Sequence, residues 1–233
     1  MTPETPRVAI VAAQNEVERI GPALDALADA LPGARLMVAD DASTDGTQGE
    51  AMRHGAWLVS RRRPHGKGAN VTATAEAAVG EFGDDATALL CDADLGESAG
   101  ELTALVEAVE AGTCDLAVAR FADPERGGFG FALGYARRAV ERLCGARVES
   151  PLSGQRAMRI STLRDLIPFA DGWGLEVGMT IDAVRAGYRV EELELPLRHR
   201  ATGRTPAGFL HRARQLHDIR RATRGRRQIA SRR

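Results

Sequence analysis

Residues 89–98 read LLCDADLGES, and they place two aspartates directly after an apolar run. The run from Ala86 to Cys91 has the length and composition of a buried strand, and it stops at Asp92 and Asp94. Side chains at positions i and i+2 of a strand point the same way, so two carboxylates there would repel each other. The stretch therefore predicts either a cation between the carboxylates or a strand that has already ended in solvent.

Apolar runs of this kind recur along the chain and alternate with segments of helical spacing. Predicted strands cover residues 7–13, 34–40, 56–60, 86–91, 115–119 and 188–197, and predicted helices cover residues 17–31, 48–54, 69–80, 99–110, 130–145 and 174–187. This order is typical of an α/β fold with an open, mostly parallel sheet flanked by helices. In such sheets ligands bind beyond the carboxyl ends of the strands, where the polar stretches 13–16, 40–41 and 92–94 fall.

The composition is that of one globular domain. The chain has 233 residues, of which 44% are hydrophobic and 27% are charged. Its three cysteines are odd in number and lie among apolar residues, which favours buried thiols over a disulfide framework or a metal knot. We expect a cytoplasmic protein, because no signal peptide opens the chain and no apolar stretch approaches the roughly 20 residues that span a bilayer.

Two motifs predict chemistry at the carboxyl edge of the sheet. Asp92 and Asp94 suit a hard divalent cation held through oxygen ligands, whereas an isolated motif of this kind is more often a pair of loop acids that cap the next helix. Gly66-Lys67-Gly68 lies in a predicted basic, glycine-bearing loop, which suits the neutralisation of a phosphate. The alternative for Lys67 is an ordinary surface lysine.

Four stretches taken together resemble the GT-A glycosyltransferases, especially those of family 2. They are VAAQNE (11–16), ADDASTDGT (39–47), GKG (66–68) and DADL (92–95). The resemblance implies a Rossmann-like GT-A fold and a nucleotide-sugar donor held with Mg²⁺ or Mn²⁺. The donor-binding residues that it implies are Ala13, Asn15, Glu16, Asp41, Lys67, Asp92 and Ala93. It also implies that Asp94 binds the metal directly and that Asp92 acts through ribose or water.

Residues 151–200 resemble the matching region of glucosyl-3-phosphoglycerate synthases and of small bacterial family 2 enzymes. In the synthases a histidine after the last strand completes the metal site, and His199 stands at that place; a solvated surface histidine is the alternative. The implied catalytic residues are Lys67, at the departing diphosphate, and Glu176, which would orient or deprotonate the acceptor. The alternative for Glu176 is a charge at a helix N-terminus.

The same region departs from the synthases at the predicted acceptor-binding segment. That segment comprises Ser153, Gly154, Gln155 and Arg156. The synthases are longer than this chain and carry a different acceptor loop there. The identity of the acceptor, and whether the anomeric configuration is retained or inverted, therefore stay open at the level of sequence.

The C-terminal residues are strongly basic. From Arg198 onward the chain holds twelve arginines and one acid, Asp218, although its net charge is −1. Residues 205–228 predict an amphipathic helix whose apolar side comprises Phe209, Leu210, Ala213, Leu216 and Ile219. One interpretation is a helix on an anionic membrane surface, which would suit a polyprenyl-phosphate acceptor. The other is a terminal helix packed on the domain or on a second subunit.

These observations predict a glycosyltransferase domain over residues 1–203 and a basic tail over residues 204–233 that is disordered after Arg224. The predicted function is metal-dependent transfer of a sugar from a nucleotide sugar, a UDP-sugar above all, to a phosphate-bearing or hydroxyl acceptor. One alternative is a non-catalytic nucleotide-sugar-binding protein on the same fold. A sugar-phosphate nucleotidyltransferase is less favoured, because AAQNEVERIG (12–21) lacks the glycine-rich basic loop usual in those enzymes. Nucleic acid is a weaker partner, since only 4% of residues are aromatic.

Overall fold

The computed structural model describes residues 5–122, 130–198 and 215–226. The strands are β1 (Arg7–Ala13), β2 (Arg35–Asp40), β3 (Trp57–Ser60), β4 (Thr87–Asp92), β5 (Leu116–Phe121), β6 (Arg156–Arg159) and β7 (Val190–Leu195). The helices are α1 (Val17–Ala30), α2 (Thr47–Arg53), α3 (Lys67–Glu81), α4 (Thr103–Glu110), α5 (Gly130–Cys144), α6 (Ile160–Leu166), α7 (Leu175–Arg185) and α8 (residues 215–226). Two 3₁₀ segments, Ala93–Leu102 and Gly172–Gly174, precede α4 and α7.

The described strands form one sheet in the order β3-β2-β1-β4-β6-β5-β7. The first four run parallel, so their carboxyl ends share one edge. Ala13 of β1 lies opposite Asp40 of β2, and Ala12 lies opposite Asp92 of β4. Strand β6 is antiparallel to both of its neighbours, whereas β7 pairs with β5 in parallel. The predicted open, mostly parallel sheet is confirmed, and one edge of it gathers the polar ends of β1, β2 and β4.

Both faces of the sheet are covered, which is why its central strands are apolar at almost every position. Ala9 and Val11 of β1 belong to a buried cluster with residues of α1 and α4. Val8 and Ile10 belong to the cluster on the opposite face, with residues of α3, α6 and α7. Burial of one such aliphatic side chain stabilises the fold by about 1.5–3 kcal/mol. The sheet is therefore a rigid base for the residues at its carboxyl edge.

The predicted loop around Lys67 is wrong in one respect. Lys67 and Gly68 form the first turn of α3 instead of lying in a loop. Gly66 makes this possible, because its φ of 85° turns the chain directly into the helix at a conformation that favours glycine. The lysine is consequently held on a helix and not on a flexible segment.

The two aspartates of the opening stretch do not share one face of a continuing strand. Asp92 ends β4, and Asp94 lies in the 3₁₀ segment that follows. That segment replaces the first part of the helix predicted over residues 99–110, and Gly96 interrupts it with a φ of 52° and a ψ of −138°. The repulsion that a straight strand would impose on the two carboxylates is thereby relieved.

The described part of the tail packs on the domain. Ile219 of α8 is fully buried in a cluster with residues of α5 and α7, among them Ala136 and Val177. Arg226 donates hydrogen bonds to both carboxylate oxygens of Asp182 on α7. Of the two interpretations of the tail, residues 215–226 therefore follow the packed helix. Phe209, Leu210 and Ala213 of the predicted apolar side lie outside the described residues.

The cysteine prediction is confirmed in its main point. All three cysteines are free thiols, with Cys91 and Cys114 buried and Cys144 half-buried. Burial is the first cause that raises the pKa of the Cys91 thiol, which keeps it protonated. Within the described ranges, no helix has both the length and the apolar character that crossing a membrane requires.

Candidate active site

The first turn of α3 brings Lys67 between two carboxylates at the carboxyl edge of the sheet. Its Nζ lies 2.6 Å from Asp92 Oδ1 and 2.8 Å from Glu176 Oε1. Asp92 comes from the end of β4, and Glu176 comes from the first turn of α7, 109 residues farther along the chain than Lys67. Three of the residues that the sequence singled out are thus in direct contact, and we call them the Lys67 cluster.

The electrostatics of the Lys67 cluster keep the ammonium charged. Burial alone would lower the pKa of Lys67, but the adjacent carboxylates of Asp92 and Glu176 outweigh it and raise that pKa. Glu176 is only 1% exposed, and its Oε2 has no hydrogen-bond partner among the described residues. A buried carboxylate oxygen without a partner costs free energy, typically about 1–3 kcal/mol or more. The site therefore holds a permanent cation beside a buried carboxylate oxygen that lacks a partner among the described residues.

The turn of residues 153–155 covers this ion pair. Gln155 Nε2 donates to Asp92 Oδ2 at 3.0 Å, and Ser153 Oγ donates to Gln155 Oε1 at 3.0 Å. A Cβ added at Gly154 would lie 2.6 Å from Asp92 Oδ2 and 2.7 Å from Lys67 Nζ. Any larger residue at this position would have to displace the charged groups, because the backbone itself lies close to them.

Arg156 supports that turn from inside the protein. It is fully buried, its Nε donates to the Ser153 carbonyl oxygen at 2.9 Å, and one terminal nitrogen donates to Thr180 Oγ1 at 3.0 Å. Burial lowers the pKa of Arg156 to about 10, against the opposing attraction of Glu176 and Glu192. Arg156 thus ties the turn to α7, the helix that carries Glu176.

These contacts bear on the segment expected to bind the acceptor. The side chains of Ser153, Gln155 and Arg156 are 8%, 3% and 0% exposed and contact other protein groups. Their position favours a supporting role for the side chains, with Gln155 holding Asp92 and Arg156 holding the segment itself. Residue type alone could not reveal this, because Ser, Gln and Arg are usually exposed.

Asp41, at the end of β2, holds the loop that leads into α3. Its Oδ1 accepts from the His65 amide at 2.8 Å, and its Oδ2 accepts from the Gly66 amide at 3.0 Å. It also accepts a hydrogen bond from Asn70 Nδ2, and Gln14 Nε2 donates to its backbone oxygen at 3.1 Å. Asp41 is therefore nearly buried and fixes the approach to Lys67.

The loop after β1 is fastened to the loop after β2. The Asn15 amide donates to Ser43 Oγ at 2.9 Å, and Asn15 Oδ1 accepts from the Thr44 amide at 2.9 Å. Asn15 has a φ of 57°, a conformation that Asn tolerates better than most residues. Glu16 pairs with Arg19 at 2.8 Å. The predicted donor-binding residues of this loop surround the end of β1 at Ala13, opposite Asp40.

Two residues of this region were not assigned a role from the sequence. Gln14 and Asn70 both bind Asp41, and Asn70 is buried with its Oδ1 unpartnered among the residues described. For Gln14, adjacency to the motif residues Ala13 and Asn15 was a usable signal. Asn70 lies one helical turn after Lys67, and nothing in its neighbourhood distinguishes it from an ordinary helix residue.

The predicted metal ligands are only partly described. Asp94 lies beyond β4 beside a cavity of about 390 Å³ that is also lined by Arg19, Gly96 and Arg198. His199 lies outside the described residues, but its neighbour Arg198 donates its amide to Ser98 Oγ at 3.1 Å. The described chain thus returns to the 3₁₀ segment that carries Asp94. Within residues 5–122, 130–198 and 215–226, no group of three or more His, Cys, Asp or Glu side chains could hold a metal ion.

Comparison with solved structures finds the same fold in a mycobacterial enzyme. Glucosyl-3-phosphoglycerate synthase from Mycobacterium tuberculosis, in complex with phosphoglyceric acid, is 26% identical and gives a TM-score of 0.78 over 95% of this chain and 80% of that chain. The same synthase with Mn²⁺, UDP-glucose and phosphoglyceric acid gives 26% identity and a TM-score of 0.76, over 95% of this chain and 79% of that one. With Mg²⁺ and UDP it gives 25% identity and a TM-score of 0.76, over the same shares of both chains.

Comparison by sequence gives a match to a family model but none to a curated protein. The family model described as Glycosyl transferase family 2 matches residues 8–172, well over half of the chain, and this range includes Asp92, Asp94 and Lys67. The protein is a glycosyltransferase of the GT-A fold, and the chain belongs to glycosyl transferase family 2.

Proposed function

We propose that the protein transfers a hexosyl group from a UDP-sugar to a small phosphate-bearing acceptor, in a reaction that requires Mg²⁺ or Mn²⁺. The observation that carries this proposal is the Lys67 cluster at the carboxyl edge of the sheet. It combines the charged ammonium of Lys67 with the buried carboxylate of Glu176, of which one oxygen is paired and the other has no partner among the described residues. The relatives with the same fold support the donor class, since one was crystallised with UDP-glucose.

The donor would bind along the ends of β1, β2 and β4. Ala13, Asn15, Glu16 and Asp41 would hold the base and ribose, and Asp92 and Ala93 would approach the ribose and diphosphate. Asp41 supports this role through its position, because its carboxylate already orders the loop of His65 and Gly66 that leads into Lys67. A preordered loop loses less conformational freedom when the nucleotide binds.

The residues at the end of β4 fit a divalent cation chemically. Carboxylate oxygens are the ligands that Mg²⁺ and Mn²⁺ prefer, and an imidazole is acceptable to Mn²⁺. Asp94 would bind the metal directly, His199 would complete the site, and Asp92 would act through ribose or water because Lys67 and Gln155 already engage its carboxylate. When bound, the cation neutralises charge on the diphosphate.

Lys67 would act on the departing UDP, and Glu176 would act on the acceptor. The ammonium of Lys67 would stabilise the negative charge that grows on the departing UDP, and its raised pKa keeps it charged throughout the neutral range. Because Oε2 of Glu176 is closed off from solvent, an acceptor hydroxyl would reach this carboxylate only by displacing a neighbouring group; Glu176 would then orient the hydroxyl or take its proton. Only an acceptor that attacks through a phosphate oxygen, such as a polyprenyl phosphate, is already anionic and would need orientation alone.

Two observations favour a small soluble acceptor over a polyprenyl phosphate. Similar structures were crystallised with phosphoglyceric acid and with glycerol 3-phosphate. In addition, Ile219 of α8 is buried against the domain, so this part of the tail offers no apolar side to a membrane. The experiment below nevertheless includes a polyprenyl phosphate among the acceptors.

The test is calorimetric titration of the full chain with UDP-glucose, UDP-galactose, UDP-N-acetylglucosamine and GDP-mannose, with and without Mn²⁺. We expect Mn²⁺-dependent binding of one UDP-sugar, lost in Asp94→Asn and retained in Glu101→Gln, an exposed acid of the same segment that does not line the cavity of Asp94. Turnover is then measured with phosphoglyceric acid, glycerol 3-phosphate and a polyprenyl phosphate. Metal-independent binding, or equal binding by Asp94→Asn, would contradict the metal assignment. Binding without turnover on any acceptor would indicate a non-catalytic nucleotide-sugar-binding protein.

A further inference from the structure

Helix α8 lies against the segment that leads into Glu176. The Trp173 amide donates to Asp218 Oδ2 at 3.3 Å. A Cβ added at Gly174 would lie 2.7 Å from Ala222 Cβ, and one added at Gly172 would overlap the Asp218 carboxylate. Side chains have therefore been excluded from both glycines of the 3₁₀ segment by the close approach of α8.

The other side of this segment contacts the start of α3. A Cβ added at Gly68 would overlap the carbonyl oxygen of Ala170, and one added at Gly66 would lie 3.9 Å from the Gly172 Cα atom. Residues 170–174 are consequently enclosed between α8 on one side and the turn that carries Lys67 on the other. Displacement of this segment would change the separation of Lys67 and Glu176, because each partner of that ion pair adjoins it in sequence or in space.

Helix α8 is itself firmly attached. Arg226 donates to Asp182 at 2.8 and 3.0 Å, and Arg185 donates to the Arg226 carbonyl oxygen at 2.9 Å. Ile219 and Thr223 are both fully buried. The buried contacts of Ile219 fix α8 beside Asp218, and the charged pair of Arg226 with two hydrogen bonds fixes the far end of the helix to α7. The helix can therefore act as a fixed support.

We infer that α8 is a positioning element of the active site, and that Asp218 holds the Gly172–Gly174 segment so that Glu176 stays in contact with Lys67. Asp218 acts through the Trp173 amide and touches neither Lys67 nor Glu176, so it is a positioning residue. The catalytic consequence rests on the proposed function, whereas the mechanical coupling of α8 to the Lys67 turn does not.

The test uses variants of the full chain that disturb or restore one contact. Gly174→Ala inserts a methyl group against Ala222, and Ala222→Gly in the same chain removes the methyl group that it meets. Asp218→Ala removes the acceptor for the Trp173 amide, and Asp218→Asn keeps an acceptor oxygen of similar size. Arg224→Ala, at an exposed position on the same helix, is the control.

Hydrogen exchange measures the coupling of α8 to the turn that carries Lys67, and it needs no substrate. We expect faster amide exchange in residues 66–72 and 172–178 of Gly174→Ala and Asp218→Ala, and wild-type exchange in Arg224→Ala. The Gly174→Ala/Ala222→Gly chain and Asp218→Asn should recover most of the protection. Unchanged exchange over residues 66–72 in both disturbing variants would overturn the inference, whatever reaction the protein catalyses.

Steady-state kinetics measure how the same variants change the transfer reaction. Gly174→Ala and Asp218→Ala should lower kcat by about tenfold or more, because a displacement of about 1 Å can cost up to ~10²-fold. The KM for the UDP-sugar should change less than kcat, since the residues proposed to hold the base and ribose lie on the loops after β1 and β2. Wild-type kcat in both variants would overturn the inference and leave the proposed function intact. A wild-type protein that turns over no UDP-sugar would overturn the proposed function, and the exchange result would still decide the coupling.

Discussion

A Cβ added at Gly154 would lie 2.6 Å from Asp92 Oδ2 and 2.7 Å from Lys67 Nζ, too close for either atom to stay in place. Both of those atoms are charged, and neither is free to withdraw, because Gln155 holds the Asp92 carboxylate and Glu176 holds the ammonium. The glycine therefore lets the chain cover the ion pair without separating its members. This is a requirement for space and not for an unusual backbone conformation.

We predict that Gly154→Ala weakens both the fold and the activity. The added methyl group must push apart Lys67 and Asp92 or the turn itself, at a cost of about 1–3 kcal/mol as for other overpacking changes. Urea unfolding measures the first effect, and turnover of the UDP-sugar measures the second. The control is Gly49→Ala in α2, where an added Cβ meets nothing within 4 Å. Equal stability of the two variants would contradict this account of Gly154.

At the scale of single residues, the sequence predicted the charged groups of the site better than their partners. Asp92, Asp94 and Lys67 could be singled out because their stretches occur in one chain with VAAQNE and ADDASTDGT, although each stretch alone is common. The inward direction of Gln155 and Arg156 could not be predicted, since it depends on how the 153–155 turn folds onto a distant strand and helix.

At the scale of elements, α1 and α2 are linked by His54, which follows the last residue of α2. Its Nδ1 lies 2.6 Å from Asp25 Oδ1 of α1, and its Nε2 lies 3.1 Å from Glu50 Oε1 of α2. The hydrogen bond to Asp25 is the first cause that raises the pKa of His54, with burial opposing it and Glu50 adding to it. The raised pKa makes the link dependent on pH.

We predict that this link stabilises the protein only in the acidic and near-neutral range. A histidine whose folded-state pKa is raised contributes stability below its ordinary pKa of 6.5, and that contribution is lost as the pH rises through the folded-state value. His54→Gln should therefore lower the free energy of unfolding at pH 5.5, by less than about 1 kcal/mol because Asp25 is 64% exposed. At pH 9 the difference should shrink towards zero. A difference that grows with pH would contradict the assignment.

Helices and strands whose apolar residues recur at regular spacing could be predicted from the sequence. Elements whose boundaries depend on tertiary contacts could not. The strand RVAIVAA and helix α1 follow from spacing alone, and the structure has them at the expected places. The start of α3 at Lys67 depends on the ion pair and on the close approach of Gly68 to Ala170, neither of which is local. For α8 the amphipathic pattern suited a membrane and a protein surface equally, and only the buried contacts of Ile219 decide for the latter.

At the scale of the whole molecule, the uneven distribution of charge has a structural counterpart. Two arginines of the basic C-terminal region pair with acids of the domain: Arg226 with Asp182, and Arg221 with Asp171 at 3.4 Å. The second pair is largely exposed and contributes little by itself. The acidic domain and the basic helix are therefore complementary to each other, which reduces the need for an external anionic partner of α8.

The central claim is that the Lys67 cluster is the active site of a metal-dependent UDP-sugar transferase. The most direct test is UDP release from UDP-glucose in the presence of Mn²⁺ and a small phosphate-bearing acceptor, for wild type and Glu176→Gln, with donor affinity measured in parallel. We expect acceptor-dependent release by wild type, and a loss of about 10²-fold or more in Glu176→Gln with donor affinity retained, as for removal of a group that acts on the acceptor. Equal release by the two proteins would contradict the claim.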